Sequence, residues 1–256
     1  MHICIDAGNS QIYCGVYNEN AIVAKFRYGS TPNATSDQFG IFFKNILKEC
    51  VISANKIKKI AIASVVPELN YPLRSACIKY LKLEPHFLAA DTQDLIAIKY
   101  ENKSELGADR LANAIGATEL FPQKNLLIID FGTATTICVV TRNKEYLGGA
   151  ILPGLKTSAR ALGIATAKLP VVEIVKPPMV IGKSTVINIQ IGLYYGQLGA
   201  VKEIINRIKE IDDIGKTPTI LATGGFAYLF KMTGLYDVII NDLVLIGLNR
   251  FLNTKT

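Results

Sequence analysis

A twelve-residue pattern occurs twice in this chain, and the two copies start 124 residues apart. In each copy an apolar, β-branched run ends on an aspartate, a turn follows at a glycine and a small polar residue, and a second apolar run begins. Such runs on either side of a glycine turn are typical of two buried strands joined as a hairpin. An internal duplication is the simplest explanation, and it predicts two domains built alike. The matching positions are Asp6 and Asp130, Gly8 and Gly132, and Cys14 and Cys138.

An aspartate at the mouth of a glycine hairpin suits a phosphate-binding site. Gly8 and Gly132 have no Cβ, so the backbone N–H groups of their turns can approach phosphate oxygens closely. The carboxylates of Asp6 and Asp130 can hold a cation that screens those oxygens. A single Asp-x-Gly sequence is more often an ordinary hairpin turn, but its repetition favours the functional interpretation. Two such turns facing each other would form a nucleotide clamp.

The length and composition fit two cytoplasmic domains. The chain has 256 residues, half of them hydrophobic, which is enough to bury a substantial core in each domain. No uninterrupted apolar run approaches the roughly 20 residues that span a bilayer. The first residues also lack the basic segment, apolar core and cleavage site of a signal peptide. We therefore expect no membrane association and a cytoplasmic location.

The cysteines and the charge argue against two other kinds of protein. The five cysteines form no C-x-x-C pair, and a scattered, odd set favours reduced, buried thiols over disulfides or zinc. The net charge of +7 permits an anionic ligand, but the lysines and arginines are spread along the chain. We therefore expect no nucleic-acid partner.

Helices follow strands in both halves of the sequence, which predicts an α/β fold with mixed sheets. Pro122 ends a helix predicted over 109–120, just before the second aspartate strand. The predicted domains are therefore residues 1–122 and 123–256. Further predictions are a capping box at Thr35 and Gln38, strands over 60–66, 86–90, 146–151 and 219–222, a helix over 73–81, a helix with Gly196 near its start, and a C-terminal helix over 242–252.

Gly107-Ala108-Asp109-Arg110 places an acid and a base at the predicted start of a helix. For an isolated pair, a surface ion pair is the favoured interpretation. In a phosphotransferase, however, the carboxylate can orient an alcohol and accept its proton, and the arginine can bind a carboxylate or phosphate. The helix N-terminus would keep Asp109 ionised and therefore a weak base.

Three more glycine-containing segments stand in the second half, at 148–154, 182–185 and 223–225. Gly182-Lys183-Ser184 is similar to the end of a P-loop, but Pro177 occupies the position of the required first glycine, so that motif is rejected. Thr223-Gly224-Gly225 follows a predicted strand, and it fits a close backbone approach to a ligand about as well as a plain turn.

Together these motifs resemble those of the type III pantothenate kinases, in the superfamily of sugar kinases, actin and heat-shock chaperone ATPases. Six motifs occur in the family's order over nearly the whole chain, among them 6–10, 107–110 and 130–136. The resemblance implies duplicated ribonuclease H-like domains with mixed β-sheets flanked by helices. It implies transfer of the γ-phosphate of ATP to the primary hydroxyl of pantothenate, the first step of coenzyme A biosynthesis. It also implies Mg²⁺, a monovalent cation (K⁺ or NH₄⁺), and a homodimer with the substrate site near the subunit interface.

The resemblance also assigns roles to single residues. Asp109 would be the general base, Asp6 would lie by the metal-bound phosphates, and Asp130 would hold the monovalent cation. Arg110 would contact the carboxylate of pantothenate. Contacts to ATP and its phosphates would come from Asp6, Ala7, Gly8, Asn9, Ser10, Gln11, Ile12, Tyr13 and Thr133, and contacts to pantothenate from Tyr100, Gly107, Ala108, Asp109, Arg110 and Thr185.

Two positions depart from the family pattern, and three alternatives remain open. Lys103 stands where proline is usual, which would loosen the substrate loop, and Ser10 replaces a common threonine but keeps a hydroxyl. One alternative is a non-catalytic relative that acts as a transcriptional accessory protein. The presence together of Asp6, Asp109, Arg110, Asp130 and Thr133 argues against it. The others are a kinase for another small hydroxylated acid or sugar, and an ATP-binding structural protein of the actin kind, for which the chain lacks long insertions.

Overall fold

The computed structural model describes residues 1–31 and 33–255. Over these residues the chain forms eleven strands and six α-helices. In chain order they are β1 (His2–Ala7), β2 (Gln11–Asn18), β3 (Ala21–Gly29), α1 (Ser36–Glu49), β4 (Lys59–Ser64), α2 (Pro67–Ala76), β5 (His86–Phe87), β6 (Ala97–Ile98), α3 (Ala108–Leu120), β7 (Leu126–Phe131), β8 (Ala134–Val140), β9 (Glu145–Pro153), α4 (Leu155–Ala165), α5 (Thr185–Ile208), β10 (Thr219–Thr223), β11 (Val238–Ile239) and α6 (Leu243–Leu252).

The first sheet has β1 at its centre, in the order β3-β2-β1-β4-β5. β1, β2 and β3 form an antiparallel meander, whereas β4 runs parallel to β1 and β5 parallel to β4. Strands β1 and β4 are almost wholly buried because helices cover both faces of the sheet's centre. Strand β5 has only two residues, fewer than the predicted 86–90.

Five strands of the second half repeat this arrangement in the order β9-β8-β7-β10-β11. β7, β8 and β9 are antiparallel, and β10 runs parallel to both β7 and β11. Each aspartate strand thus forms the centre of a sheet, with its hairpin on one side and a parallel strand on the other. The predicted α/β fold with duplicated, mixed sheets is confirmed.

The turns of the two hairpins differ in length by one residue. Three residues separate β1 from β2, but only two separate β7 from β8. Consequently Cys14 pairs with Ile5, whereas Cys138 pairs with Ile128 and not with Ile129, which is the counterpart of Ile5. The match of Cys14 with Cys138 in the sequence is therefore not a structural equivalence.

The chain divides into two compact units, Met1–Phe121 with Asp242–Thr256, and Pro122–Asn241. The first division falls beside Pro122, as the sequence suggested. The C-terminal segment, however, belongs to the first unit and not to the predicted domain 123–256. The return of this segment depends on contacts between residues more than a hundred positions apart, which the local pattern does not contain.

Helix α6 packs in the first unit against α3, and glycines allow their backbones to approach closely. A Cβ at Gly116 would lie 2.5 Å from the carbonyl oxygen of Leu243. A Cβ at Gly247 would overlap the carbonyl oxygen of Ala112. Neither obstacle is the end of a flexible side chain, so the helix contact requires both glycines.

The capping box of α1 is confirmed. Thr35 Oγ1 accepts a hydrogen bond from the Gln38 backbone N–H, and Gln38 Oε1 accepts one from the Thr35 backbone N–H at 2.8 Å. These bonds satisfy two backbone donors that the helix itself leaves without partners.

Two other helices begin earlier than the sequence indicated. Helix α2 starts at Pro67, at the first helical position where the missing N–H costs nothing, and continues as a π-helical turn over 77–81. Helix α5 starts at Thr185, where the Ser184 side chain caps it. The prediction that Gly196 lies near the start of its helix is therefore wrong, because it lies in the middle.

The expectation of buried thiols holds for four of the five cysteines. Cys4, Cys14, Cys77 and Cys138 are buried free thiols, and Cys50 is exposed. Burial raises the pKa of the Cys77 thiol to about 12, which makes it a poor nucleophile at neutral pH. In the described residues no helix has the length and apolar character needed to cross a membrane.

Candidate active site

The first glycine hairpin lies between β1 and β2 at the carboxyl end of the central strand. The Gly8 backbone N–H donates to the Gln11 carbonyl at 3.1 Å and closes the turn. The side chains of Ala7 and Ile12 are fully buried, so only their backbone groups can reach a ligand. Asp6 is half-buried, and Asn9, Ser10 and Gln11 are exposed at the tip.

Tyr13 is the buried residue of this motif that carries a polar group, its phenol hydroxyl. It is 8 % exposed, and its hydroxyl donates to Asp242 Oδ1 at 2.5 Å. Burial and then this hydrogen bond raise the pKa of Tyr13. Asp242 belongs to no motif recognised in the sequence, and its position beside the hairpin comes only from the fold.

The second hairpin joins β7 to β8 and has glycines packed around it. Its turn closes through the Gly132 N–H, which donates to the Ala134 carbonyl at 3.1 Å. Gly224 has φ +88°, and a Cβ there would strike Asp130 Oδ1 and lie 2.7 Å from the Phe131 nitrogen. Only glycine suits both the left-handed backbone and the contact. The 223–225 segment, ambiguous in the sequence, therefore lies directly against the Asp130 strand end.

The 148–154 segment also ends at this hairpin. The Gly154 N–H and the Thr157 hydroxyl both donate to the Thr133 carbonyl, at 3.2 and 2.7 Å. A Cβ at Gly154 would overlap the carbonyl oxygens of Gly132 and Thr133. These contacts fix the Thr133 backbone and leave its side chain exposed at the turn.

Asp109 occupies the first turn of α3, as the sequence predicted. Its Oδ1 accepts a hydrogen bond from the Arg110 backbone N–H at 2.7 Å. A Cβ at Gly107 would lie 2.6 Å from that same oxygen, so glycine leaves the carboxylate its space. Burial raises the pKa of Asp109, and the hydrogen bond and the charge of Arg110 oppose the shift without cancelling it. Burial is the largest of these effects, so the pKa of Asp109 lies above its ordinary value, whereas the helix N-terminus alone would lower it.

Arg110 is buried, so the alternative of a surface ion pair is wrong for this residue. Only 8 % of it is exposed. Its Nη1 donates to the Tyr100 hydroxyl at 3.1 Å, and its guanidinium carbon lies 5.8 Å from the centre of the Tyr100 ring. The fold therefore brings Tyr100, Asp109 and Arg110 together at one end of α3.

The first unit contains a cavity of about 1020 Å³ whose lining reaches Gly107 and Ala108, the two residues before Asp109, but does not include Tyr100, Asp109 or Arg110 themselves. The end of β4, the start of α2, the segment after β5 and the residues before α3 line it. Its walls include apolar groups from Val65, Phe87 and Leu106, and Gly107 and Ala108 form the edge next to Asp109. Lys103, the departure from the family pattern, is also in the lining. Half of the lining residues are polar or charged, among them Arg74, Asp91 and Glu105, so the cavity offers both apolar surface and polar groups to a small molecule.

The structure divides the predicted site residues between the two units. Residues 6–13, Tyr100 and 107–110 belong to the first unit, and Asp130, Thr133 and Thr185 to the second. Within the second unit, Thr185 is an exposed residue at the start of α5, on a different element from the hairpin.

The side chains fit a metal that arrives with a nucleotide. Across residues 1–31 and 33–255, no three His, Cys, Asp or Glu side chains are grouped so that they could hold a metal ion. Magnesium commonly binds through one or two carboxylates plus substrate phosphates. Asp6, half-buried at a glycine turn, meets that need, and Asp130 offers oxygen ligands of the kind that hard monovalent cations also bind.

Solved structures with the same fold are kinases and related proteins. A ROK family glucokinase from Streptomyces griseus, in complex with glucose and AMPPNP, has a TM-score of 0.55 and 12% identity over 97% of this chain and 98% of its own. A Baf family transcriptional activator from Campylobacter jejuni has a TM-score of 0.62 and 19% identity over 98% and 97%. At these identities the likeness concerns the fold alone.

Closer relatives define the family. The family model described as type III pantothenate kinase matches residues 2–207. The type III pantothenate kinase of Legionella pneumophila (strain Corby) is 54% identical over 97% of this chain and 96% of its own length. The chain belongs to the type III pantothenate kinase family.

Proposed function

We propose that this protein transfers the γ-phosphate of ATP to the primary hydroxyl of pantothenate, the first step of coenzyme A biosynthesis. One observation carries the proposal: Asp109, whose pKa is raised by burial, directly follows Gly107 and Ala108, which line a cavity of about 1020 Å³, and the neighbouring Arg110 donates a hydrogen bond to Tyr100. A base and a cation close to a cavity with both apolar and polar lining residues suit an acceptor that carries a hydroxyl and a carboxylate. The family model and the Legionella pneumophila relative described above are both named for phosphorylation of pantothenate, which supports the same reaction.

The acceptor side of the reaction rests on Asp109 and Arg110. Asp109 accepts the proton of the pantothenate hydroxyl as the oxygen attacks the γ-phosphorus, and its raised pKa makes it a better acceptor than an exposed aspartate. Arg110 binds the pantothenate carboxylate through charge-assisted hydrogen bonds, and the Tyr100 hydroxyl holds its guanidinium in place.

The phosphate side rests on the two hairpins. Their glycine turns offer backbone N–H groups to the phosphate oxygens, and Asp6 would hold a magnesium ion, which would neutralise charge on the transferring group. Little covalent help is needed, because phosphoryl transfer depends mainly on positioning and electrostatics. The cytoplasmic location stays a prediction.

A panel of acceptors tests the proposed reaction against the alternative kinase. ADP release from ATP and Mg²⁺ is measured with pantothenate, with glucose, and with small hydroxy acids that lack the β-alanine portion. We expect pantothenate to exceed the other acceptors in kcat/KM by at least about tenfold, which corresponds to one lost charged contact. A higher kcat/KM for a sugar or another acid would overturn the assignment.

We propose that Asp130 binds a monovalent cation, and this predicts a dependence on K⁺ or NH₄⁺. Replacing K⁺ by Na⁺ is expected to lower kcat of the wild-type protein several-fold. In Asp130→Asn, which removes the charge but keeps the shape, kcat is expected to be low and insensitive to the cation. Asp213→Asn, an exposed aspartate of the same unit, is the control. A wild-type rate that is equal in K⁺ and Na⁺ would contradict this role.

We propose that the second unit forms a homodimer through apolar residues near α4 and α5. Exposed side chains cluster in sequence just before Thr185, namely Val171, Met179, Val180 and Ile181, and exposed apolar patches mark association surfaces. Ile181→Asp is expected to shift the protein to a monomer in analytical ultracentrifugation. Met232→Asp changes an equally exposed residue of the same unit and is expected to leave a dimer. A monomeric wild-type protein would refute the proposal.

A further inference from the structure

Three side chains form a row across the first sheet, next to the first phosphate hairpin. Asp6 on β1 pairs with Tyr13 on β2, and Tyr13 pairs in turn with Arg27 on β3. Directly paired residues point to the same face, with Cβ atoms about 4.5–5.5 Å apart. The Arg27 guanidinium carbon lies 3.9 Å from the centre of the Tyr13 ring. Arg27 thus packs on the Tyr13 ring from β3, and Asp6 is the cross-strand neighbour of Tyr13 on β1.

Asp242 joins this row to the start of α6. Its Oδ1 accepts the hydrogen bond from the Tyr13 hydroxyl at 2.5 Å, and its Oδ2 accepts one from Lys25 Nζ at 2.9 Å. The Asp242 side chain is 21% exposed and that of Lys25 46%. The bond to Tyr13 is therefore the better shielded of the two, and shielding strengthens a charge-assisted hydrogen bond.

The carboxylate of Asp242 is not used by its own helix. Asp242 is the N-cap residue of α6, yet its side chain makes no capping hydrogen bond. Aspartate at an N-cap ordinarily accepts a hydrogen bond from the second or third N–H of the helix. Here both carboxylate oxygens accept hydrogen bonds from side chains of β2 and β3 instead. Capping of α6 therefore does not explain these two hydrogen bonds.

We propose that Asp242 is a positioning residue for nucleotide binding: it fixes the Tyr13 ring beside Asp6 and so sets the Asp6 carboxylate for the metal-bound phosphates. The inference rests on the proposed role of Asp6 in phosphate binding. Asp242 touches no reacting atom and acts only through Tyr13. Without this acceptor, the Tyr13 side chain keeps only its contact with Arg27, and its position beside the neighbouring strand β1 is less well defined.

The test compares variants that break the same bond from opposite ends. Tyr13→Phe and Asp242→Ala are each expected to raise KM for MgATP about tenfold, the effect of one hydrogen bond to a charged group. KM for pantothenate is expected to stay within twofold. The double variant is expected to be no worse than either single variant, because one interaction is lost in all three. Lys25→Met removes only the more exposed bond and is expected to change KM for MgATP less than twofold.

Binding measured without an acceptor separates this inference from the proposed reaction. Calorimetry with Mg²⁺ and AMPPNP is expected to show the same tenfold loss in Tyr13→Phe and Asp242→Ala, and recovery of most of the affinity in Asp242→Asn, which keeps an oxygen acceptor. Unchanged affinity in Tyr13→Phe would overturn the positioning role even if Asp242→Ala failed to fold. Additive losses in the double variant would do the same. If pantothenate proves not to be the acceptor, these binding results still decide the inference.

Discussion

Asp109→Asn is expected to lower kcat for pantothenate phosphorylation by about 10²–10⁴, the usual contribution of a general base. Asparagine keeps the size of the side chain and an oxygen that can accept the Arg110 backbone N–H, but it cannot take up the proton of the attacking hydroxyl. The affinity for Mg²⁺-AMPPNP is expected to stay within about twofold, because no phosphate contact is assigned to this residue. Steady-state kinetics together with calorimetry measure both quantities.

The matched control is Asp94→Asn, which neutralises an exposed carboxylate of the same unit and is expected to leave kcat unchanged. The pH profile gives a second readout. Since Asp109 must be deprotonated to act as a base and burial raises its pKa, the acid limb of kcat/KM is expected above the pH at which an exposed aspartate titrates. Near-normal turnover in Asp109→Asn would exclude its role as the base.

Gly247→Ala is expected to destabilise the first unit by about 2–3 kcal/mol, in the range of a small-to-large change at a tight contact. The new methyl group would overlap the carbonyl oxygen of Ala112, so α3 and α6 must move apart. Because α3 carries Asp109 at its start, activity is expected to fall together with the melting temperature. Thermal unfolding followed by circular dichroism measures the change.

Gly192→Ala provides the comparison, since it makes the same change inside a helix where a Cβ meets no atom within 4 Å. Without a clash, alanine is expected to stabilise by about 0.5–1 kcal/mol, because it reduces the freedom of the unfolded chain. A Gly247→Ala protein as stable as the wild type would show that the helix contact tolerates a side chain. The close packing of α6 on α3 would then not explain why this helix belongs to the first unit.

The features predicted correctly from the sequence depend on neighbouring residues. The hairpins at Gly8 and Gly132, the capping box of α1 and the start of α3 each follow from a few consecutive positions, and the structure contains all of them. The repeated aspartate pattern also indicated the duplication, because both copies occupy the same place in sheets of the same order.

The features that were missed depend on contacts between distant residues. Helix α6 belongs to the first unit through its packing against α3, β1 and β4, which includes the close approach of Gly247 to Ala112, and nothing near either residue indicates that contact. The burial that raises the pKa of Asp109 and covers Arg110 comes from several elements at once. Asp242 belongs to no motif, and its bond to Tyr13 spans 229 positions. Each of the two predicted helices contains a glycine, Gly116 in α3 and Gly247 in α6. This is the one sequence signal that could have suggested that α6 packs against α3.

Phosphate transfer itself tests the central claim most directly. The purified protein is incubated with ATP, Mg²⁺, K⁺ and pantothenate, the products are identified by mass spectrometry, and Asp109→Asn is run in parallel. We expect 4′-phosphopantothenate and ADP in equal amounts from the wild-type protein and almost none from the variant. Failure of folded, nucleotide-binding wild-type protein to phosphorylate pantothenate would contradict the proposed function.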